Sequence, residues 1–188
     1  MKKLICLVLS LIFVFTLAAC GSEEKENRKG EIDEFAAKGE IPEFPIKLGS
    51  SHEEIIEYYN KRAEEEQNHD LIIGELEGET AVQLTNGVQT FYYEKAHKDK
   101  GISVFIVTGD KAFGYELGSN VTKTDVISRI SAEYTVSTAT ADQLYFLPGT
   151  VEGAEIVSCD LDKIRLDFFF FDGLLSAVSL TNTEYWTD

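Results

Sequence analysis

Leu48-Gly49-Ser50-Ser51-His52-Glu53-Glu54-Ile55-Ile56-Glu57-Tyr58-Tyr59 decides the fold, because its opening triplet returns as Leu117-Gly118-Ser119. In the first copy Ser51 stands before a helical run and Glu54 follows three residues later, the spacing of a capping box. In the second copy Thr122 and Asp125 hold the same spacing ahead of Val126, Ile127 and Ile130. Ile55, Ile56 and Tyr59, like Val126, Ile127 and Ile130, fall at i, i+1 and i+4. Each segment is therefore predicted as a helix with one apolar stripe to bury.

Strand signals follow both helices. Residues 81–85 and 88–93 flank Asn86-Gly87, a strong hairpin signal. Residues 102–108 and 111–117 flank Gly109-Asp110, and Ile102, Val104 and Ile106 alternate with Ser103, Phe105 and Val107. After the second helix, residues 143–147 and 154–159 are predicted strands. A long hairpin then runs through residues 164–171, turns at Asp172-Gly173 and returns through 174–181. Helix then antiparallel strands, twice, predicts an α+β fold of two helix-plus-antiparallel-sheet repeats side by side, about 46–116 and 117–182. A period of about 70 residues is too long for a solenoid and suits a duplicated small domain.

Upstream, residues 31–38 predict a short helix with Ile32, Phe35 and Ala36 on one face. Gly39 stops it, and Pro42 and Pro45 keep the next stretch extended. Gly21 to Gly30, GSEEKENRKG, has no apolar anchor and is predicted as a tether. Ten such residues would hold the domain on the order of 20 Å from a surface. Before it stand Met1-Lys2-Lys3, an uncharged apolar run from Leu4 to Ala19, and Leu17-Ala18-Ala19-Cys20. A positive start, an apolar run and small residues at its end make a secretory signal. The run falls short of the roughly 20 residues needed to span a bilayer, and the alternative is an uncleaved N-terminal anchor.

Leu17-Ala18-Ala19-Cys20 resembles the lipobox of bacterial lipoproteins at all four positions. That resemblance implies a diacylglycerol on the Cys20 sulfur and cleavage just before it. The expected division is a signal peptide over 1–19, a lipidated tether over 20–30 and the duplicated domain over 31–188. A further resemblance follows from Lys38-Gly39-Glu40-Ile41-Pro42 and Phe44-Pro45-Ile46-Lys47-Leu48-Gly49 ahead of a helix start. This opening resembles a family of uncharacterised Gram-positive lipoproteins whose shared domain has no assigned function. More broadly, a Gly-Ser before a capped helix, then a sheet, then the same again, is similar to the duplicated β-lactamase-inhibitor-protein-like fold. That likeness implies two units side by side whose combined sheet offers a concave binding face. The chain departs from it where members end the helix with Gly-Pro; here stand Asn60-Lys61 and Ser131-Ala132. Inhibitor activity does not carry over, because no inhibitory loop is identifiable.

Composition bounds the partners. The formal charge is −16, and loss of Lys2 and Lys3 with a signal peptide would make it more negative. Such acidity argues against nucleic acid and against adhesion to an anionic membrane surface or an acidic wall polymer. Cys6 lies in the signal and Cys20 would be acylated, so Cys159 alone remains and no internal disulfide can form. Cys159 in Ile156-Val157-Ser158-Cys159 is expected as a buried small hydrophobe. His52, His69 and His97 are scattered. Asp160 and Asp162 form a D-x-D without the remaining ligands or glycine of a calcium loop, and Glu64-Glu65-Glu66 is expected as a solvated face. There is no zinc pair, P-loop, dinucleotide fingerprint or Gly-x-Ser-x-Gly. No metal, cofactor or enzymatic activity is expected.

The aromatic residues are more informative. One side of residues 164–171 carries Ile164, Leu166, Phe168 and Phe170, and the other carries Arg165, Asp167, Phe169 and Phe171. A two-residue turn would place Leu174, Val178 and Leu180 with Phe169 and Phe171. Either a further layer covers that second side, or Phe169 and Phe171 lie on an open face that binds a partner, with Tyr92, Tyr185 and Trp186 nearby. The expectation for function is a lipid-anchored extracytoplasmic protein of the cell membrane, acting as a non-enzymatic protein-binding or scaffold module. Its partners would be the bilayer, through acylated Cys20, and an unknown protein. The alternative is a binder of a small envelope ligand or cation.

Overall fold

The computed structural model describes residues 28–139 and 154–185. Eight antiparallel strands form one sheet. In chain order they are β1 (Gly74–Glu77), β2 (Ala81–Thr85), β3 (Gln89–Glu94), β4 (Val104–Val107), β7 (Tyr134–Thr138), β8 (Glu155–Leu161), β9 (Ile164–Phe171) and β10 (Leu174–Asn182). Their order across the sheet is β1-β2-β3-β4-β10-β9-β8-β7, so β4 and β10 meet at the centre and β1 and β7 form the edges. β5 (Lys111–Ala112) and β6 (Tyr115–Glu116) form a separate two-stranded hairpin. The α-helices among the described residues are α1 (Glu31–Ala36), α2 (His52–Glu65) and α3 (Lys123–Arg129). Helices with one large antiparallel sheet make an α+β architecture.

Both capping boxes are present. Ser51 Oγ accepts from the Glu54 N–H and the Glu54 carboxylate accepts from the Ser51 N–H, and Thr122 and Asp125 make the same exchange. The hydroxyl and backbone N–H of Thr122 hold the Asp125 carboxyl below the usual carboxylate range. These boxes satisfy N–H groups that a helix start otherwise leaves without partners. The two Leu-Gly-Ser segments also dock alike. The Gly49 N–H donates to the Ile102 carbonyl at 2.9 Å, and the Gly118 N–H donates to the Leu175 carbonyl at 2.8 Å. Each segment thereby ties the start of its helix to the approach of a central strand, β4 in one case and β10 in the other.

The helices cover one face of the sheet. Ile32, Ala36, Ile55, Tyr59 and Val126 join Leu84, Phe91, Phe105, Leu166, Phe168, Phe170, Val178 and Leu180 in one buried cluster. Phe91 stacks on Phe105 with ring centroids 4.6 Å apart, Phe44 meets Phe105 edge-on at 5.4 Å, and Tyr59 lies 5.9 Å from Phe91. Rings packed in this way add about 0.5–1.5 kcal/mol per pair beyond their buried area. Burial also pushes the Tyr59 phenol well above its ordinary range.

Three expectations are corrected. Residues 111–117 do not return alongside β4. They turn on themselves at Phe113-Gly114, which take φ of 54° and 78°. The Glu43 carboxylate holds that turn by accepting the Phe113 N–H at 3.0 Å and the Gly114 N–H at 2.6 Å. The two charge-assisted bonds offset the cost of a left-handed phenylalanine. Second, Val178 and Leu180 do not share a side with Phe169 and Phe171. The register slips by one between Leu175 and Ala177, so Val178 pairs with Phe168 and Leu180 with Leu166 on the helix-covered face. A bulge adds one residue and reverses the alternation beyond it. Third, β1 and β7 are strands where none was predicted, while the strand expected at 143–147 lies outside the described residues. The hairpin at Asn86-Gly87 forms, with Asn86 and Gln89 closing the turn through an Asn86 N–H to Gln89 carbonyl bond of 3.2 Å.

Candidate functional site

The second face of the sheet is built from alternate residues of the same strands. Tyr92, Val104, Ile106, Ile156, Phe169 and Ala177 pack there with Ala154 as a second cluster, and Phe171 and Ala139 border it. Phe169 sits between Ile156 of β8 and Ala177 of β10. It is 5% exposed, so of the two possibilities for this side the open face, and with it Phe169 as a partner-binding residue of the free protein, does not hold. Phe171, one alternation further along β9, is half-buried. The bulge accounts for part of the burial, since it turns Ala177 toward the second face and leaves room for the Phe169 ring. Truncating a ring in such a cluster removes its transfer energy and leaves a cavity. Phe169→Ala is therefore expected to lower stability by about 3–5 kcal/mol. Thermal or urea unfolding checks this, and an unchanged midpoint would contradict the packing described.

Toward the other end of β9 the face turns polar. Asp167 accepts from Ser158 Oγ at 2.5 Å, and Arg165 donates to Asp160 at 3.0 Å. Burial pushes the Asp167 carboxyl above its ordinary range, against the pull of the Ser158 hydroxyl and the Arg165 guanidinium. Loss of solvation outweighs those two favourable partners here, as expected where water is excluded. Thr90 and Ser179 are buried on the same face. The face thus grades from an acid–hydroxyl group to aromatic rings.

Other candidates resolve plainly. Cys159 is buried on the helix-covered face, and burial pushes its thiol up to about 12, so the reactive thiolate is suppressed. His52 contacts the Tyr93 hydroxyl at 3.1 Å and Glu75 at 3.4 Å, and His97 lies beside Glu94. Among the described residues no group of three or more His, Cys, Asp or Glu side chains converges as a metal cage would require. Cys20 and Trp186 lie outside the described residues. No described helix is long and apolar enough to cross a membrane.

A cleft of about 180 Å³ lies among Glu31, Phe35, Pro42, Glu43, Phe113 and Arg129. The Arg129 guanidinium stacks over Tyr115 at 4.6 Å and donates to the Phe113 carbonyl at 2.9 Å. Glu43 is already engaged by the Phe113-Gly114 turn. The volume is below the roughly 300–1,000 Å³ usual for small-molecule sites.

The edges of the sheet differ from each other. β1 carries Glu75 and Glu77, which pair with His52 and Lys95. Charged residues on a short edge oppose further strand pairing. β7, Tyr134-Thr135-Val136-Ser137-Thr138, carries no charge and is exposed along its whole length. Tyr134 and Val136 are 44% and 47% exposed. They share the side of the sheet occupied by Cys159 and Val157, their register partners on β8. Sequence reasoning missed this strand, although Tyr, Thr and Val in a run were the available signal. No family model, curated protein or solved structure matches the chain.

Proposed function

We propose that this chain is an extracytoplasmic lipoprotein, anchored in the cell membrane through acylated Cys20, that works as a non-enzymatic protein-binding or scaffold module. The observation that carries the binding role is the β7 edge, uncharged and exposed, with Tyr134 and Val136 beside it. An edge of this kind templates the addition of a strand, with backbone hydrogen bonds giving affinity and alternate side chains giving specificity. Of the two aromatics first singled out, Phe171 remains available to a partner at the border of the second cluster. Phe169 contributes packing. A small-ligand or cation role has less support. The cleft beside Arg129 is small and its Glu43 is already hydrogen-bonded. The larger hollows, of about 310 Å³ beside Leu76 and Tyr92 and about 590 Å³ between Ser51 and Lys98, are open surface depressions. No metal cage converges among the described residues.

The same reading includes a duplicated domain related to the Gram-positive lipoprotein family and to the β-lactamase-inhibitor-protein-like fold. In its support, each capped helix is followed by four antiparallel strands, and the order β1-β2-β3-β4 is mirrored by β10-β9-β8-β7. The matching Gly49 to Ile102 and Gly118 to Leu175 bonds add to it.

A photo-activatable residue placed at Tyr134 of the full chain in living cells tests the binding role. Discrete protein adducts are expected on irradiation. Their absence, with the protein present at the normal level, would contradict it.

A further inference from the structure

The geometry points to a second copy of this chain as the occupant of the β7 edge, the two β7 strands pairing antiparallel about a two-fold axis at Val136. The inference rests on the protein-binding reading of that edge and names the partner.

The first support is the direction of the backbone groups. The Ala139 N–H donates to the Ala154 carbonyl at 2.7 Å, in register with the pairing of β7 on β8. Hydrogen-bonded pairs alternate along an antiparallel ladder. Residues 135 and 137 therefore bond to β8, and the N–H and C=O groups of Tyr134, Val136 and Thr138 point to the open edge. Two such strands centred on Val136 match each of these residues with an outward-pointing residue of the other copy. Val136 meets Val136 of the other copy, and Tyr134 meets Thr138. Three narrow pairs would exchange about six hydrogen bonds. A β-branched pair and an aromatic next to a β-branched residue are favourable cross-strand neighbours.

The second support is charge. Self-association of a chain with a net charge of −16 is opposed by repulsion. The paired strands carry no charge, and this register sets Glu133 opposite Ala139 rather than opposite itself. Much of the acid lies elsewhere: α2 carries five glutamates and β1 two more, and β1 is the far edge of the sheet.

The third support is the placement of α1. The Gly30 N–H donates to the Arg129 carbonyl at 2.8 Å, and Asp33 accepts from the Ser131 and Ala132 N–H groups at 2.6 and 2.9 Å. The start of α1 is thus tied to the residues just before β7. A two-fold axis normal to a continuous sheet leaves both helix layers, and with them Gly30 of each copy, on one side, as two chains anchored in one bilayer require. Five-residue strands alone offer less than the roughly 1,200 Å² of a stable interface. Confinement by two anchors supplies the effective concentration that the area does not.

Thiol cross-linking of the full-length chain in its own membrane tests the register. Cys159 is buried and does not compete. Facing residues of a narrow pair have Cα atoms about 5.5 Å apart, within reach of a short bifunctional thiol reagent. Thr138 would lie four residues from Thr138 of the other copy, about 13 Å away. Val136→Cys is expected to give at least about tenfold more cross-linked dimer than Thr138→Cys. Co-expressed Tyr134→Cys and Thr138→Cys chains are expected to link to each other. Dimer from Val136→Cys no greater than from Thr138→Cys, failure of the mixed pair to link, or linkage of Val136→Cys to a different protein would each overturn the proposal. The last result would leave the protein-binding reading intact, whereas an absence of any adduct at Tyr134 would remove that reading itself.

Discussion

Cells that carry Cys20→Ala in place of the wild-type chain are expected to lose the mature membrane-bound protein. Leu17-Ala18-Ala19-Cys20 follows an uncharged apolar run behind Lys2 and Lys3, the arrangement of an export signal with small residues at its end. On the lipobox reading the Cys20 thiol is the atom that receives the lipid, and alanine offers none. One acyl chain gives marginal binding and two give stable anchoring, so losing both leaves nothing equivalent beyond the signal itself. The tether beyond it, GSEEKENRKG, has no apolar residue to hold the surface. Membrane fractionation is expected to show the lipidated form depleted by more than about tenfold. The protein would accumulate as unprocessed precursor or be shed. Unchanged mature protein in the membrane pellet would contradict the assignment.

Gly101→Ala is expected to cost more stability than other glycine substitutions among the described residues. Gly101 has φ 73° and ψ −162°, a region that essentially only glycine occupies. A Cβ there would clash with the Gly49 carbonyl group and stand 2.6 Å from the Ser50 carbonyl oxygen. Both neighbours are backbone, so no side chain can swing away. They belong to the residues that dock the first Leu-Gly-Ser segment, the Gly49 N–H donating to the Ile102 carbonyl and the Ser50 carbonyl accepting the Ile102 N–H. Strain at such a dihedral costs about 1–3 kcal/mol, and displacing the docked segment adds to it. We expect a loss of about 3–5 kcal/mol, a fall in Tm of roughly 10 °C or more. Gly87→Ala is the control. Gly87 has φ 86° but nothing within 4 Å of an added Cβ, so it should lose only about 1–2 kcal/mol. Equal effects at the two positions would contradict the close approach at Gly101.

What was legible in the sequence followed from local, one-sided chemistry. Ser51 with Glu54 and Thr122 with Asp125 announce helix starts because a cap needs a particular residue at a particular spacing, whatever surrounds it. The hairpins at Asn86-Gly87 and Asp172-Gly173 were legible for the same reason. The edge strands were not. Hydrophobic alternation reports burial, and neither Gly74–Glu77 nor Tyr134–Thr138 buries a residue. The bulge near Ser176 was hidden too. Nothing in Leu174-Leu175-Ser176-Ala177 shows which residue will be left over, yet that choice assigned Val178 and Leu180 to the core beside the helices. Phe169 illustrates the limit for the site: two apolar sides on one strand were visible, but burial of the second side depends on contacts across three strands. The β7 edge is illegible too, because its exposed side chains leave no pattern of burial in the sequence.

The most direct test of the anchored-module account is the mass of the N-terminal peptide of the wild-type protein taken from membranes. The account predicts a peptide that begins at Cys20 and carries a diacylglyceryl group on sulfur. A peptide that begins at Met1, or an unmodified Cys20 in membrane-derived protein, would contradict it.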